Sequence, residues 1–232
     1  MLSCRLYHVN ETVPANAYDD DIDDMGAFTN TAAAVNTNNN YSFDHIGQLK
    51  KDKQEGIDDI EWTVYNKVKR ITRKNGFSKI IGSQTVYPSD LEFHYDAGGN
   101  RVSKIEKIRD ANGLRPFTEW KTTHYVRDAQ GNQMAVYVQS TNAQTQTASF
   151  SLKERDLYGS SRIGLDVNEL EMVGAPGVSA VTATHILANK LFEGSTQIGS
   201  VLCVFTDKKI PISSNNTIID FYISDTPSYK IC

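Results

Sequence analysis

The chain has 232 residues, 39% of them apolar, with 24 Lys and Arg against 28 Asp and Glu and a formal net charge of −4. That suffices for one large domain or two small ones with an ordinary core. The lack of a basic block argues against nucleic acid, where phosphates are neutralised by clustered Lys and Arg. No stretch approaches the ~20 apolar residues of a membrane-spanning helix, and residues 1–13 lack the apolar run of a signal peptide.

Cys4, Cys203 and Cys232 lie far apart with no C-x-x-C pair. This excludes the common zinc spacing and points to buried or free thiols, with a single bridge as the alternative. Eleven Tyr and nine Phe against two Trp suit pleated surfaces, where rings pack across strands.

Residues 1–40 read as an irregular N-terminal segment. A short strand is predicted from Cys4 to Val9, followed by the acidic run Asp19, Asp20, Asp21, Asp23, Asp24. An EF-hand loop opening at Asp21 would need Asp or Asn where Met25 stands and a closing Glu where Ala32 stands, so the run is a solvated turn. Residues 29–40 are small and polar, the composition of a loop or linker.

A repeat begins at residue 41. Tyr41-Ser42-Phe43-Asp44-His45-Ile46-Gly47-Gln48-Leu49 recurs as Phe93-His94-Tyr95-Asp96-Ala97-Gly98-Gly99-Asn100-Arg101-Val102, and again as Tyr125-Val126-Arg127-Asp128-Ala129-Gln130-Gly131-Asn132-Gln133-Met134. A worn copy from Thr63 to Ile71 has lost its glycine. Aromatics two residues apart share one strand face, because strand side chains alternate with period 2. Asp opens a turn by accepting backbone N–H groups ahead of it. Gly three residues later adopts positive φ without steric cost, and an apolar residue starts the return strand. Each copy is thus predicted to be one β-hairpin. Turn signals at Gln54-Glu55-Gly56, Lys74-Asn75-Gly76 and Asp110-Ala111-Asn112-Gly113 join the hairpins, with return strands at Ile60–Tyr65 and Thr118–Tyr125, into an antiparallel meander over residues 41–165.

Residues 149–165 carry a further strand and a turn at Tyr158–Ser161. Residues 166–232 form a less regular continuation. A short helix is predicted over Val178–Leu191, a fully buried strand at Val201–Phe205, a turn at Asp207–Lys209 and a last strand at Thr217–Ile223.

These residues resemble the YD-repeat, or RHS-repeat, family, whose signature is Tyr-Asp followed by x-x-Gly-Asn. Tyr95-Asp96-Ala97-Gly98-Gly99-Asn100 matches closely, and Asp44-His45-Ile46-Gly47-Gln48-Leu49 and Arg127-Asp128-Ala129-Gln130-Gly131-Asn132 match well. Flanking segments such as Ile60–Tyr65, Leu157–Arg162 and Asp207–Pro211 are similar to RHS proteins common in the Bacteroidetes, and the likeness covers roughly residues 5 to 222. The resemblance implies an all-β fold, with antiparallel hairpin repeats forming part of a spiralling shell. It implies a non-catalytic segment of that shell, which encloses or presents a secreted polymorphic toxin. It further implies the remaining shell and the toxin cargo as partners, a secreted or cell-surface setting, and no cofactor. Two family features are missing. There is no Asp-Pro-x-Gly-type cleavage motif with its toxin, and Thr196-Gln197-Ile198-Gly199 stands in place of an Asn-His-Leu-Gly stretch. The chain therefore reads as a truncated or decayed shell segment.

Catalytic constellations do not emerge. His8, His45, His94, His124 and His185 show no metal spacing, and Gly159-Ser160-Ser161 is no nucleophile elbow. No phosphate-binding Gly-rich loop is present. Asp44, Gly47, Asp96, Gly99, Asn100, Asp128, Gly131 and Asn132 are therefore assigned as turn formers, with no catalytic, cofactor or metal residues. The alternative function is a cell-surface β-module that binds glycan or protein through exposed aromatics. An autoprotease is disfavoured by the missing cleavage motif. Unpaired strand edges are expected to make the isolated chain associate.

Overall fold

The computed structural model describes residues 5–10, 22, 39–81, 83–141, 145, 147–167, 169–172, 190–196, 200–207, 210–211 and 219–220. The chain is all-β and antiparallel. Its strands are β1 (Tyr41–Phe43), β2 (Leu49–Asp52), β3 (Ile57–Trp62), β4 (Val68–Arg73), β5 (Lys79–Ile81), β6 (Gln84–Val86), β7 (Asp90–Tyr95), β8 (Arg101–Lys107), β9 (Arg109–Asp110) and β10 (Gly113–Leu114). There follow β11 (Lys121–Arg127), β12 (Gln133–Thr141), β13 (Ala148–Tyr158), β14 (Arg162–Asp166), β15 (Leu170–Glu171), β16 (Lys190–Ser195), β17 (Val201–Thr206), β18 (Ile210–Pro211) and β19 (Ile219–Asp220).

Contacts divide the chain into Met1–Thr122 and Thr123–Cys232, a boundary that falls inside β11. In the first unit the sheet order is β1-β2-β3-β4-β7-β8, while β5 with β6 and β9 with β10 form separate two-stranded ribbons. In the second the order is β11-β12-β13-β14-β16-β17, with β15 also on β13. The meander is thus largely sequential, and the two ribbons are excursions that return to it.

Several expected elements differ. Residues 5–9 form no regular strand, and Cys4 lies outside the described residues. They lie along β1 instead, where the Tyr41 N–H donates to the Tyr7 carbonyl at 3.0 Å. Thr118 and Glu119 belong to a 3-10 turn, Phe117–Glu119, and the strand starts at Lys121. Pro116 precedes that turn and fixes an extended entry, φ −54° and ψ 148°. Lys190 and Leu191, the last residues of the predicted helix, open β16; its other residues lie outside those described. The acidic run at 19–24, apart from Ile22, also lies outside them, as does the linker up to residue 38. Ile219–Asp220 is the described part of the last predicted strand.

The Val201–Phe205 run is the largest correction. It is a strand, but every side chain from Val201 to Phe205 is exposed. A continuous apolar run marks burial only when layers cover both faces, and β17 is the terminal strand of its sheet order.

Among the described residues the buried apolar side chains are Ile60 and Phe93 in the first unit and Ala135, Val136 and Leu152 in the second. The others divide between half-buried and exposed, as expected where strands pair without a second layer on each face. Ionic pairs across strands supplement this core. Arg70 Nη1 lies 2.9 Å from Glu61 and its Nε 3.4 Å from Glu92, which also receives Lys107 Nζ at 2.7 Å. The side-chain N–H groups of Trp62 and Trp120 donate to the Leu49 and Arg115 carbonyls.

Candidate functional site

The predicted site residues form hairpin turns of one construction. In the first turn the Asp44 N–H donates to the Gln48 carbonyl at 2.9 Å and the Gly47 N–H to the Asp44 carbonyl at 3.2 Å. The same two bonds recur at Asp96 (to Asn100, with Gly99 returning) and at Asp128 (to Asn132, with Gly131 returning). This is a type I turn closed by a residue of positive φ, the three-residue hairpin loop. That residue is Gly47, Gly99 or Gly131, at φ 99°, 78° and 89°.

Each Asp carboxylate serves its own turn. Asp44 Oδ1 accepts N–H groups from Ile46, Gly47 and Gln48 at 2.8–3.0 Å. Asp96 Oδ1 accepts the Asn100 N–H at 2.8 Å, and the Asn100 side-chain amide returns to Asp96 Oδ2 at 3.1 Å. Asp128 repeats that pattern with Asn132, at 2.8 Å to each carboxylate oxygen, and adds the Gln130 N–H. Desolvation pushes the Asp44 carboxyl up, but the N–H bonds from Gln48, Gly47 and Ile46 outweigh it and hold it below the usual carboxylate range. The Asn132 side-chain bond, then the backbone N–H bonds, hold Asp128 low too. Where the third copy has Arg instead of Tyr, Arg127 Nη1 donates to the Gly131 carbonyl at 2.8 Å and closes its own turn.

Sequence reading missed the true frame of the worn copy. Thr63 takes the Asp position and Asn66 the Gly position: the Thr63 N–H donates to the Lys67 carbonyl, and the Asn66 N–H to the Thr63 carbonyl. Thr63 Oγ1 accepts the Lys67 N–H at 3.1 Å, a weaker version of the Asp bond. Asn66, at φ 60°, is the one non-glycine residue of positive φ among the described residues, a conformation Asn tolerates better than other side chains. The available signal was an Asn three residues after a Thr that follows an aromatic, Trp62. A related pair of bonds joins Thr196 and Ser200: the Thr196 N–H reaches the Ser200 carbonyl, and the Ser200 N–H reaches Thr196 Oγ1.

Within the first unit these turns are tied together. The Arg5 guanidinium donates to the Asp44 carbonyl at 3.2 Å. The Gln48 amide donates to Asn66 Oδ1 at 2.8 Å. Lys67 Nζ sits 5.6 Å from the Tyr95 ring centre, and Tyr95 Oη donates to the Val68 carbonyl. The turns therefore make one rim that exposes three large apolar side chains, Ile46 at 61%, Val64 at 90% and Tyr65 at 80%, beside the polar His45, Asn66, Lys67 and Asp96.

At the other ends of these strands lies a polar cluster that sequence reading did not single out. Arg109 grips the Asp90 carboxylate through Nε at 2.9 Å and Nη2 at 3.1 Å, with both side chains under a tenth exposed. The Arg73 N–H also donates to Asp90, and Arg109 Nη1 reaches Asn75. Arg73 and Lys79 both meet Glu55. A bidentate guanidinium–carboxylate pair of this kind is a clamp on the bases of the two ribbons.

Among the described residues no three His, Cys, Asp or Glu side chains come together to hold a metal ion. No helix among them is long and apolar enough to cross a membrane.

No protein-family model and no curated protein matches the chain.

The turns are self-satisfied. Their carboxylates accept N–H groups of the same turn, and the first unit's turns present apolar side chains beside polar ones to solvent.

Proposed function

We propose that this chain is a non-catalytic wall segment of a YD-repeat (RHS-type) shell that encloses or presents a secreted polymorphic toxin. One observation carries the reading: the turns at Asp44, Thr63, Asp96 and Asp128 share one hydrogen-bond pattern, each capping a hairpin, and within the first unit each of the three hairpins pairs with the next. Repeated hairpins of this kind bury their apolar faces mainly against neighbours, which suits a structure extended by repetition. The test is electron cryomicroscopy of the full-length product of the gene. The expected result is the β1–β17 meander running on into further strands that close around a cavity. A free-standing domain, with solvent on both sheet faces and no enclosed chain, refutes the proposal.

A second reading, a surface-binding β-module, is favoured by Val64 and Tyr65. Tight turns select Gly, Asn, Asp and Ser for their backbone preferences, yet this tip presents a β-branched and an aromatic side chain to water. Binding to a glycan or cell surface that is lost in Val64→Ser/Tyr65→Ser supports it; equal binding by the variant removes it.

A further inference from the structure

We infer that Asn75–Gly76 is a site of spontaneous covalent modification, at which the Gly76 backbone nitrogen displaces the Asn75 side-chain amide and leaves a carboxylate beside Arg109. The sequence holds two Asn–Gly pairs, Asn75–Gly76 and Asn112–Gly113. A glycine nitrogen has no side chain of its own residue crowding it, so both pairs are chemically competent. The fold treats them differently. Lys74, Asn75 and Gly76 are exposed in the turn between β4 and β5. The bond that closes this turn uses the Phe77 N–H, donated to the Lys74 carbonyl at 3.2 Å. Among the described residues no acceptor holds the Gly76 N–H. Arg109 Nη1 donates to Asn75 Oδ1 at 3.1 Å, and the two bonds from the same guanidinium to Asp90 fix it in place. A fixed cationic donor on that oxygen stabilises the negative charge that develops there when a nitrogen adds to Cγ.

At the second pair the nucleophile is occupied. Gly113 lies in β10 opposite Asp110 of β9. Arg115 and the Asn112 N–H hold the Asp110 carboxyl below its ordinary range, and the Gly113 N–H bonds it as well. Attack at Asn112 therefore first has to free that N–H, whereas attack at Asn75 does not.

The reaction needs only water. The Gly76 nitrogen gives its proton to solvent and bonds to Asn75 Cγ, the Cγ–Nδ2 bond breaks, and Nδ2 leaves as ammonia after taking a proton. Water then opens the cyclic imide at one of its two carbonyls. Opening on the Cγ side gives an aspartyl residue at position 75. Opening on the main-chain side gives an isoaspartyl link, which adds a methylene to the backbone between Lys74 and Phe77. One water enters, one ammonia leaves, and nothing is oxidised or reduced.

The test is peptide mapping by mass spectrometry of the full chain aged in mildly alkaline buffer, with enzymatic isoaspartate labelling. Asn75 is expected to convert at least ~5-fold faster than Asn112, the factor set by one net hydrogen bond. In urea concentrated enough to unfold the chain the two rates are expected to converge, because neither Arg109 nor Asp110 is then in place. That comparison uses the wild-type chain alone, so it stands whether or not a variant folds. Asp90→Leu/Arg109→Leu removes the donor together with its carboxylate. With its fold checked by circular dichroism, it is expected to slow Asn75 at least ~3-fold. Asp110→Ala is expected to speed Asn112 and leave Asn75 unchanged. Equal rates in the folded chain, a preference that survives in urea, or a folded Asp90→Leu/Arg109→Leu chain that modifies Asn75 at the wild-type rate overturns the inference.

Discussion

Gly56 and Gly76 allow a steric term to be separated from a backbone term. Both have positive φ, 61° and 74°, in the same unit. At Gly76 a methyl group would meet nothing within 4 Å, so Gly76→Ala carries only the left-handed backbone penalty, about 1–2 kcal/mol. At Gly56 the same methyl would fall 2.2 Å from Phe77 Cγ and 2.4 Å from both Cδ atoms. The ring cannot bend away as a long flexible chain would. The loop carrying it is held by the Phe77 N–H to the Lys74 carbonyl, and by the Lys74 N–H to the Gly56 carbonyl at 2.7 Å. Overpacking of this kind adds about 1–3 kcal/mol, so Gly56→Ala is expected to cost about 2–5 kcal/mol in all. Urea titration followed by Trp fluorescence measures both, since Trp62 and Trp120 lie in this unit. The reasoning is refuted if Gly56→Ala loses no more stability than Gly76→Ala.

Asp90→Ala should cost about 3–5 kcal/mol, because it strands the Arg109 guanidinium, 8% exposed, without its carboxylate. Replacing both partners with apolar residues should recover most of the loss, and a single change worth under ~1 kcal/mol would contradict the clamp. Asn66→Ala is expected to cost about 1–2 kcal/mol for the positive φ, and Asn66→Gly to stay within ~0.5 kcal/mol of wild type in thermal melts. The turn carboxylates Asp44 and Asp128 are held below their ordinary values in the folded chain. Their contribution is therefore complete above the usual Asp range and disappears as pH falls through the lowered folded values. The stability gap between wild type and Asp44→Ala/Asp128→Ala should be widest near neutrality and close on strong acidification. A gap independent of pH would show that the charge plays no part.

The Asp-to-Gly turns were legible because their bonds close within four residues: an aromatic, an Asp and a Gly at fixed spacing specify donor, acceptor and positive φ together. Asn66 was harder, since Asn serves both as a turn opener and as a left-handed residue, and only its bonds to the Thr63 carbonyl and from the Gln48 amide show which role it takes. The apolar run Val201–Phe205 announced a strand but not its exposure. Chemical identity reports what a side chain prefers, not whether another layer arrives to cover it. The clamp of Arg109 on Asp90 spans 19 positions, and the cover of β1 by residues 5–9 brings Val9 to Asn40 across 31. Local geometry sets hairpins because the chain there has few alternatives to satisfy its N–H groups. Which strands become edges, and which edges are closed, depends on long-range closure whose entropy and contacts no short window contains. The amino-acid order alone thus determined the pleated, turn-punctuated character of this protein. Pairing order, the excursions after β4 and β8, and the contrast between a covered β1 and an exposed β17 were decided by the tertiary structure.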